Sequence, residues 1–148
     1  LIFLAGYAAA NLAAFAVVTH LRGRTRLQDY AGLAATRPLA AATLVLALLS
    51  LVGIPPLAGF FGKLALFITT IAGGYAWLAV LAIANTVVSL FYYLRVIAPM
   101  YFDSAKGRAG LLGHWSAIAV WLGLLAVVAF GLAAGPLFHN FDSARLLP

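Results

Sequence analysis

The 148-residue chain is 66% hydrophobic and only 8% charged, with a mean hydropathy of +1.09. A soluble domain carries about 25% charged residues and cannot bury this much apolar surface at this length. These values exclude a soluble fold and indicate a lipid bilayer as the solvent. The net charge is +6, but the basic residues lie mostly between apolar runs. That placement favours a role in membrane orientation over nucleic-acid binding.

Four apolar runs are long enough to cross a bilayer, which takes about 20 residues of helix. They span about 1–19, 38–72, 75–97 and 114–134. The sequence therefore predicts an all-α membrane protein, with residues 1–148 forming a single membrane domain. The first run starts at the first residue, without an initiator Met or a basic leader segment. We therefore expect a C-terminal fragment of a longer membrane protein.

The second run is too long for one straight span. Its 35 residues would extend about 52 Å as an unbroken helix, and Pro55-Pro56 interrupts it. Two short spans would put the Arg-rich stretch 20–37 and the stretch with Lys106 and Arg108 on opposite sides, against the positive-inside tendency. We therefore expect four spans, the second discontinuous at Pro55-Pro56. Both basic stretches then face the cytoplasm and the C-terminus lies on the outer side.

The interruption has the composition of a helix break. Pro55 and Pro56 lack N–H donors, and Gly59 and Gly62 supply flexible backbone beside them. Broken helices recur in ion-coupled transporters, because half-helix ends present carbonyls and dipoles to ions. A proline kink that serves only packing is the alternative.

Lys63 is the one charge inside the second run. A lysine at the bilayer centre costs about 2.5–3.5 kcal/mol, and charges at that depth tend to mark ion or proton pathways. A lysine in apolar surroundings can release and regain a proton near neutral pH, as a proton relay requires. Alternatively, the ammonium caps carbonyls that the broken helix leaves free.

Weakly polar residues form one face of the third run, at helical spacing. Asn85, Ser89 and Tyr92 on this face are candidates for a hydrated path beside Lys63, although such faces more often serve helix packing. The three histidines lack the spacing of metal ligands, so we expect no metal site.

Two motifs resemble a known family. The string Gly53-Ile-Pro-Pro-Leu-Ala-Gly-Phe-Phe-Gly-Lys63, read with Ser89-Leu-Phe-Tyr-Tyr-Leu-Arg-Val96, resembles the antiporter-like, proton-conducting membrane subunits of complex I, the proton-pumping NADH:quinone oxidoreductase. The resemblance covers residues 1 to about 102. It implies a fourteen-helix fold of which this chain holds the last four helices, and it implies that Lys63 is a terminal proton relay.

The resemblance also implies partners and cofactors. The chain would be part of a translocase subunit in a bacterial plasma membrane or an equivalent energy-coupling membrane. It would contact lipid, the other membrane subunits and the missing N-terminal helices of its own subunit, but no nucleic acid. Flavin, iron–sulfur clusters and quinone would be bound by other subunits, and the absence of cysteine agrees with this. The fragment alone is not expected to be catalytic.

Two rival interpretations stay open. One is a subunit of a multisubunit Na⁺/H⁺ antiporter or of a membrane-bound hydrogenase, which belong to the same superfamily. The other is a purely structural membrane module in which Lys63 serves only as a helix cap.

Overall fold

The computed structural model describes residues 2–22, 26–104 and 114–144, with side chains described over 4–22, 26–104 and 114–133. Every regular element within these ranges is helical, as predicted. Six α-helices and one 3-10 turn follow in chain order: α1 Ile2–His20, the turn Leu27–Tyr30, α2 Leu33–Thr36, α3 Pro38–Val52, α4 Ala58–Ala72, α5 Ala76–Phe102 and α6 His114–Ala144. Lys106 and Arg108, for which the sequence predicts a cytoplasmic position, lie outside the described residues.

The described helices differ in length relative to a bilayer. Two stretches are long and apolar enough to cross it alone, Ala76–Phe102 and His114–Ala133, whereas Leu4–His20, Pro38–Val52 and Ala58–Ala72 are shorter apolar helices. Both α3 and α4 have 15 residues, or about 22 Å each, against roughly 30 Å of hydrocarbon. By length, therefore, neither half of the second run crosses a bilayer without the other.

Two of the predicted helix ends were wrong. The apolar runs predict helix ends at about 97 and about 134, and a proline follows each of these positions, Pro99 and Pro136. Instead α5 continues through Pro99 to Phe102, and α6 continues through Pro136 to Ala144. A proline removes one backbone hydrogen bond, and helices in apolar surroundings tolerate that loss because neighbouring groups satisfy the freed carbonyl.

At one end of the bundle, residues of the Arg-rich stretch 20–37 pack against the end of α5 and the start of α6. The N–H of Gly32 donates to the carbonyl of Pro99 at 3.0 Å, and a 2.9 Å hydrogen bond joins His20 Nδ1 to Ser116 Oγ. A buried apolar cluster fills this end: Val17, Leu21, Tyr30, Leu33, Ala40, Ala41, Leu44, Leu48, Met100 and Val120. The start of α3 and the end of α5 thus lie at the same end of the bundle. Because α5 runs back from the end of α4, α3 and α4 together cover the length of the bundle once.

Glycines allow α1 and α6 to approach closely. A Cβ at Gly123 of α6 would lie 2.8 Å from Ala13 Cα of α1. A second buried cluster lies at this level and extends to the helix break: Ala10, Ala13, Ala47, Leu57 and Val127. Small residues at helix crossings are typical of membrane proteins, because they let the backbones pack by van der Waals contact.

The outward face of α5 is apolar along most of its length. Its large side chains Trp77, Leu81, Val88 and Phe91 are more than half exposed. Such a surface fits helices surrounded by lipid or by further helices of the same subunit.

Candidate functional site

The end of α3 forms a compact C-terminal cap. Gly53 adopts a left-handed conformation with φ 91°, which favours glycine. The N–H of Gly53 then donates to the carbonyl of Ser50, and the N–H of Ile54 donates to that of Leu49. This is the Schellman arrangement, which satisfies two of the carbonyls that a helix end leaves free.

The break itself is short, with Pro55 and Pro56 exposed and Leu57 buried. Its Pro55–Pro56 peptide bond is cis, and α4 starts at Ala58. From α6, Gly131 faces the break, and a Cβ there would make an ordinary contact of 3.4 Å with Leu57 Cα. From α1, a Cβ at Gly6 would lie 2.8 Å from Ala58 Cβ. Helices α1 and α6 therefore both pack directly against the interruption.

Lys63 folds back from α4 to the end of α3. Its Nζ donates to the carbonyl of Val52 at 2.8 Å and to Thr86 Oγ1 of α5 at 3.2 Å. Its Cδ is near Gly53, where a Cβ would come within 3.1 Å of it. One ammonium group thus links α3, α4 and α5, and it satisfies a carbonyl of the α3 terminus.

The position of Thr86 on α5 gives the depth of this ammonium. At 1.5 Å per residue, Thr86 is about 15 Å from the Ala76 end of α5 and about 24 Å from the Phe102 end. Both distances exceed the reach of a lysine side chain. Lys63 is therefore a half-buried charge far from both ends of α5, and it does not reach out to a membrane surface.

An open cleft of about 360 Å³ lies beside Lys63, between α4 and α5. It is lined by Lys63, Leu66, Phe67, Thr70, Leu78, Ala82, Asn85 and Thr86. From Lys63 the lining follows α4 toward its C-terminus and α5 toward its N-terminus. The cleft therefore extends toward the turn at Gly73-Gly74, away from the end that holds the Arg-rich stretch.

The residues that the sequence analysis proposed for a hydrated path separate in the structure. Asn85 lines the cleft with Lys63, whereas Ser89 and Tyr92 are not among its lining residues. The hydroxyl of Ser89 donates to the carbonyl of Asn85 at 2.9 Å, and the Tyr92 ring meets that of Phe91 edge-on. Gly59 packs against α3, and Gly62 lies on α4 next to Lys63.

Thr86 is the contact residue that sequence reasoning missed. The sequence shows Thr86 next to Asn85 and four residues after Ala82. A threonine in a membrane helix usually bonds to the backbone of its own helix, so this position alone does not identify it as a partner of Lys63. Thr86 does so too, donating to the carbonyl of Ala82 at 2.9 Å. Its second role depends on how α4 and α5 are rotated against each other, which the spacing of polar residues along one helix does not specify.

An apolar helical bundle with a broken helix and an interior lysine is typical of membrane proteins that move ions. A family model described as NADH:quinone oxidoreductase/Mrp antiporter, TM, matches residues 1–89. The chain belongs to this family, as its motifs predicted.

Within the family, curated relatives named subunit N match most of the chain. NADH-quinone oxidoreductase subunit N of Mycobacterium sp. (strain JLS) is 45% identical over 94% of this chain and 30% of its own length. The protein of the same name from Desulfitobacterium hafniense is 42% identical over 93% of this chain and 28% of its own length. NADH-quinone oxidoreductase subunit N 2 of Symbiobacterium thermophilum is 43% identical over 99% of this chain and 30% of its own length. The chain spans about 30% of the length of these relatives.

Proposed function

We propose that the full-length protein is a membrane subunit of an NADH:quinone oxidoreductase and that this segment carries part of its proton path, with Lys63 as a relay. Quinone reduction in other subunits supplies the free energy, and the flavin and iron–sulfur clusters are held there. The observation that carries the proposal is the interior ammonium of Lys63, which lies at a helix break and borders an open cleft. A charge that served only solubility would not be retained at that depth.

The surroundings of Lys63 suit reversible protonation. Its described hydrogen-bond partners are a backbone carbonyl and a hydroxyl, both neutral. No carboxylate in the described ranges forms a salt bridge that would hold the amine in its charged form; Asp29 and Asp103 lie in the segments between helices. The lysine is therefore not locked in one protonation state by a partner within these ranges.

A purely structural role is the second candidate, and one observation favours it. The Lys63 ammonium donates to Val52, whose carbonyl lies at the C-terminus of α3. A cation at a helix C-terminus stabilises it through the helix dipole and through the hydrogen bond. On this alternative the lysine holds α3 and α4 together and moves no proton.

Substitution of Lys63 in the full-length subunit distinguishes the two roles. In membrane vesicles, NADH-driven proton pumping is measured per assembled complex for the wild type, Lys63→Met and Lys63→Arg. If Lys63 is a relay, the complex with Lys63→Met still assembles but loses most of its proton pumping. Arginine keeps the charge but does not release its proton, so a relay also requires that Arg fails. Retained pumping with Arg, or with both variants, would instead assign Lys63 to the helix cap.

The proposal includes a membrane arrangement. Four spans, with α3 and α4 together forming the second, place the basic stretches in the cytoplasm and the Gly73-Gly74 turn and the C-terminus on the outer side of a bacterial plasma membrane. Support comes from the shared position of the α3 start and the α5 end and from the positive-inside tendency. The apolar outer face of α5 would meet lipid, neighbouring subunits or the N-terminal helices of the same subunit.

A further inference from the structure

The hydroxyl of Thr86 is oriented by two hydrogen bonds. As donor it is bonded to the carbonyl of Ala82 at 2.9 Å, one turn earlier on α5. As acceptor it receives a hydrogen bond from Lys63 Nζ at 3.2 Å. Because the single hydroxyl proton is engaged with Ala82, the oxygen presents its lone pairs toward the lysine.

The hydrogen bonds of Lys63 can be counted in both protonation states. An ammonium has three N–H donors, of which two are directed at Val52 O and Thr86 Oγ1. A neutral amine has two N–H donors and one lone pair. Loss of one proton therefore leaves both hydrogen bonds intact, provided that the proton lost is the third one.

We propose that Thr86 is a positioning residue of the relay: with the Val52 carbonyl, it holds two N–H groups of Lys63 in both protonation states and leaves the third as the proton exchanged with water in the cleft between α4 and α5. This inference rests on the proposed function. In the step, the third N–H bond breaks, its electron pair stays on nitrogen, and the proton passes to a water molecule of the cleft. The reverse step restores the ammonium.

The position of the cleft supports this assignment. Lys63 and Thr86 both line it, together with Asn85 and Thr70. The Val52 carbonyl lies on the α3 side of the lysine, so the hydrogen bonds approach Nζ from α3 and α5. The third direction is the one that remains for water. Without the Thr86 hydroxyl, only the hydrogen bond to Val52 remains. The amine can then rotate about its Cε–Nζ bond, and no N–H is held toward the cleft.

The test removes the hydroxyl and then restores it. In the full-length subunit within its complex, Thr86→Val keeps the side-chain shape and loses the hydroxyl, and Thr86→Ser keeps the hydroxyl. The readout is the initial rate of NADH-driven proton pumping per assembled complex in vesicles. We expect Thr86→Val to lose about three- to tenfold, the range typical of one hydrogen bond, and Thr86→Ser to retain most of the rate. Thr86→Ala serves as a second variant without the hydroxyl, in case valine impairs assembly.

Thr69→Val is the matched control. Thr69 lies on α4, is exposed, and bonds only to the carbonyls of Ala65 and Leu66 in its own helix. We expect this variant to pump at the wild-type rate. Pumping at the wild-type rate in the variants without the Thr86 hydroxyl would overturn the inference. A serine variant as slow as valine, or an equal loss in Thr69→Val, would overturn it as well.

A parallel Lys63→Met variant distinguishes failure of the proposed function from failure of the positioning role of Thr86. If it pumps normally, the proposed function fails and the role of Thr86 fails with it. If it loses pumping while the variants without the Thr86 hydroxyl pump normally, only the positioning role is overturned.

Discussion

Gly59 at the start of α4 lies directly against the backbone carbonyl of Ser50 near the end of α3. A Cβ at Gly59 would overlap that oxygen, and it would also lie 2.9 Å from the Ser50 carbonyl carbon. Two stretches of backbone therefore pass each other with no side chain between them. This contact fixes the start of α4 beside the last turn of α3, and so keeps Lys63 within reach of Val52.

Gly59→Ala should destabilise the subunit, because the methyl group collides with backbone that has little freedom to shift. Overpacking of this kind costs about 1–3 kcal/mol. We expect less assembled subunit in membranes and a lower unfolding temperature in detergent. Gly131→Ala is the matched control, since its Cβ would be 3.4 Å from the nearest atoms, an ordinary contact distance. Equal stability of the two variants would contradict the geometry of this crossing.

Gly123→Val should separate α1 from α6. Its Cβ would lie 2.8 Å from Ala13 Cα and 2.9 Å from Ala13 Cβ, and valine adds two further methyl groups there. The measurement is the thermal stability of the purified complex. The adjacent Leu122→Val is the control, because Leu122 is 61% exposed and points about 100° away around the helix. We expect only Gly123→Val to lower stability, and a similar loss in both variants would argue against the close approach.

Ala82→Leu should slow proton pumping by filling the cleft beside Lys63. Ala82 lines that cleft on α5, and a leucine occupies space that the proposed water requires. Ala84→Leu makes the same change two residues along the helix, about 200° around its axis, and it is not among the lining residues. We expect a severalfold lower pumping rate for Ala82→Leu at unchanged assembly, and no change for Ala84→Leu. Normal pumping by Ala82→Leu would exclude the cleft as part of the path.

Single cysteines should report the membrane orientation, because the chain has none of its own. Tyr75→Cys lies at the Gly73-Gly74 turn, and Ser104→Cys follows the opposite end of α5; both positions are exposed. A maleimide that does not cross membranes should label Tyr75→Cys in intact cells and Ser104→Cys only in inverted vesicles. Labelling of both cysteines from one side would contradict the crossing by α5, and labelling of Ser104→Cys instead of Tyr75→Cys in intact cells would contradict the proposed single crossing of α3 and α4.

The helix break and its lysine were predictable because their signals are local. Two prolines and several glycines interrupt an apolar run, and one charge follows within it, so each feature shows in a short window of sequence. The same window contains Gly53 and Gly59, which the structure uses at the α3 cap and at the crossing with Ser50. The all-helical class followed from composition in the same way.

The helix ends and the lysine's second partner were not predictable on that basis. A proline normally ends a helix, yet α5 and α6 continue past Pro99 and Pro136, because neighbouring groups compensate for the missing N–H. The Arg-rich stretch was expected to be a polar connection, yet Tyr30 and Leu33 are buried against Met100 of α5. Contacts of this kind, like that between Lys63 and Thr86, depend on how separate helices pack, and no single segment encodes them.

The two halves of the broken helix are equal in length but unequal in attachment. Eight residues of α3 are buried, whereas Ala58 and Gly59 are the buried residues of α4, and both lie in its first turn. Within the described part of the chain, α3 is therefore packed along its length, whereas α4 beyond its first turn presents its surface to lipid or to helices outside this chain. Lys63 thus lies on the half with the more open surface and is bonded to the enclosed half, so a small tilt of α4 would lengthen its bond to Val52 while α3 stays in place.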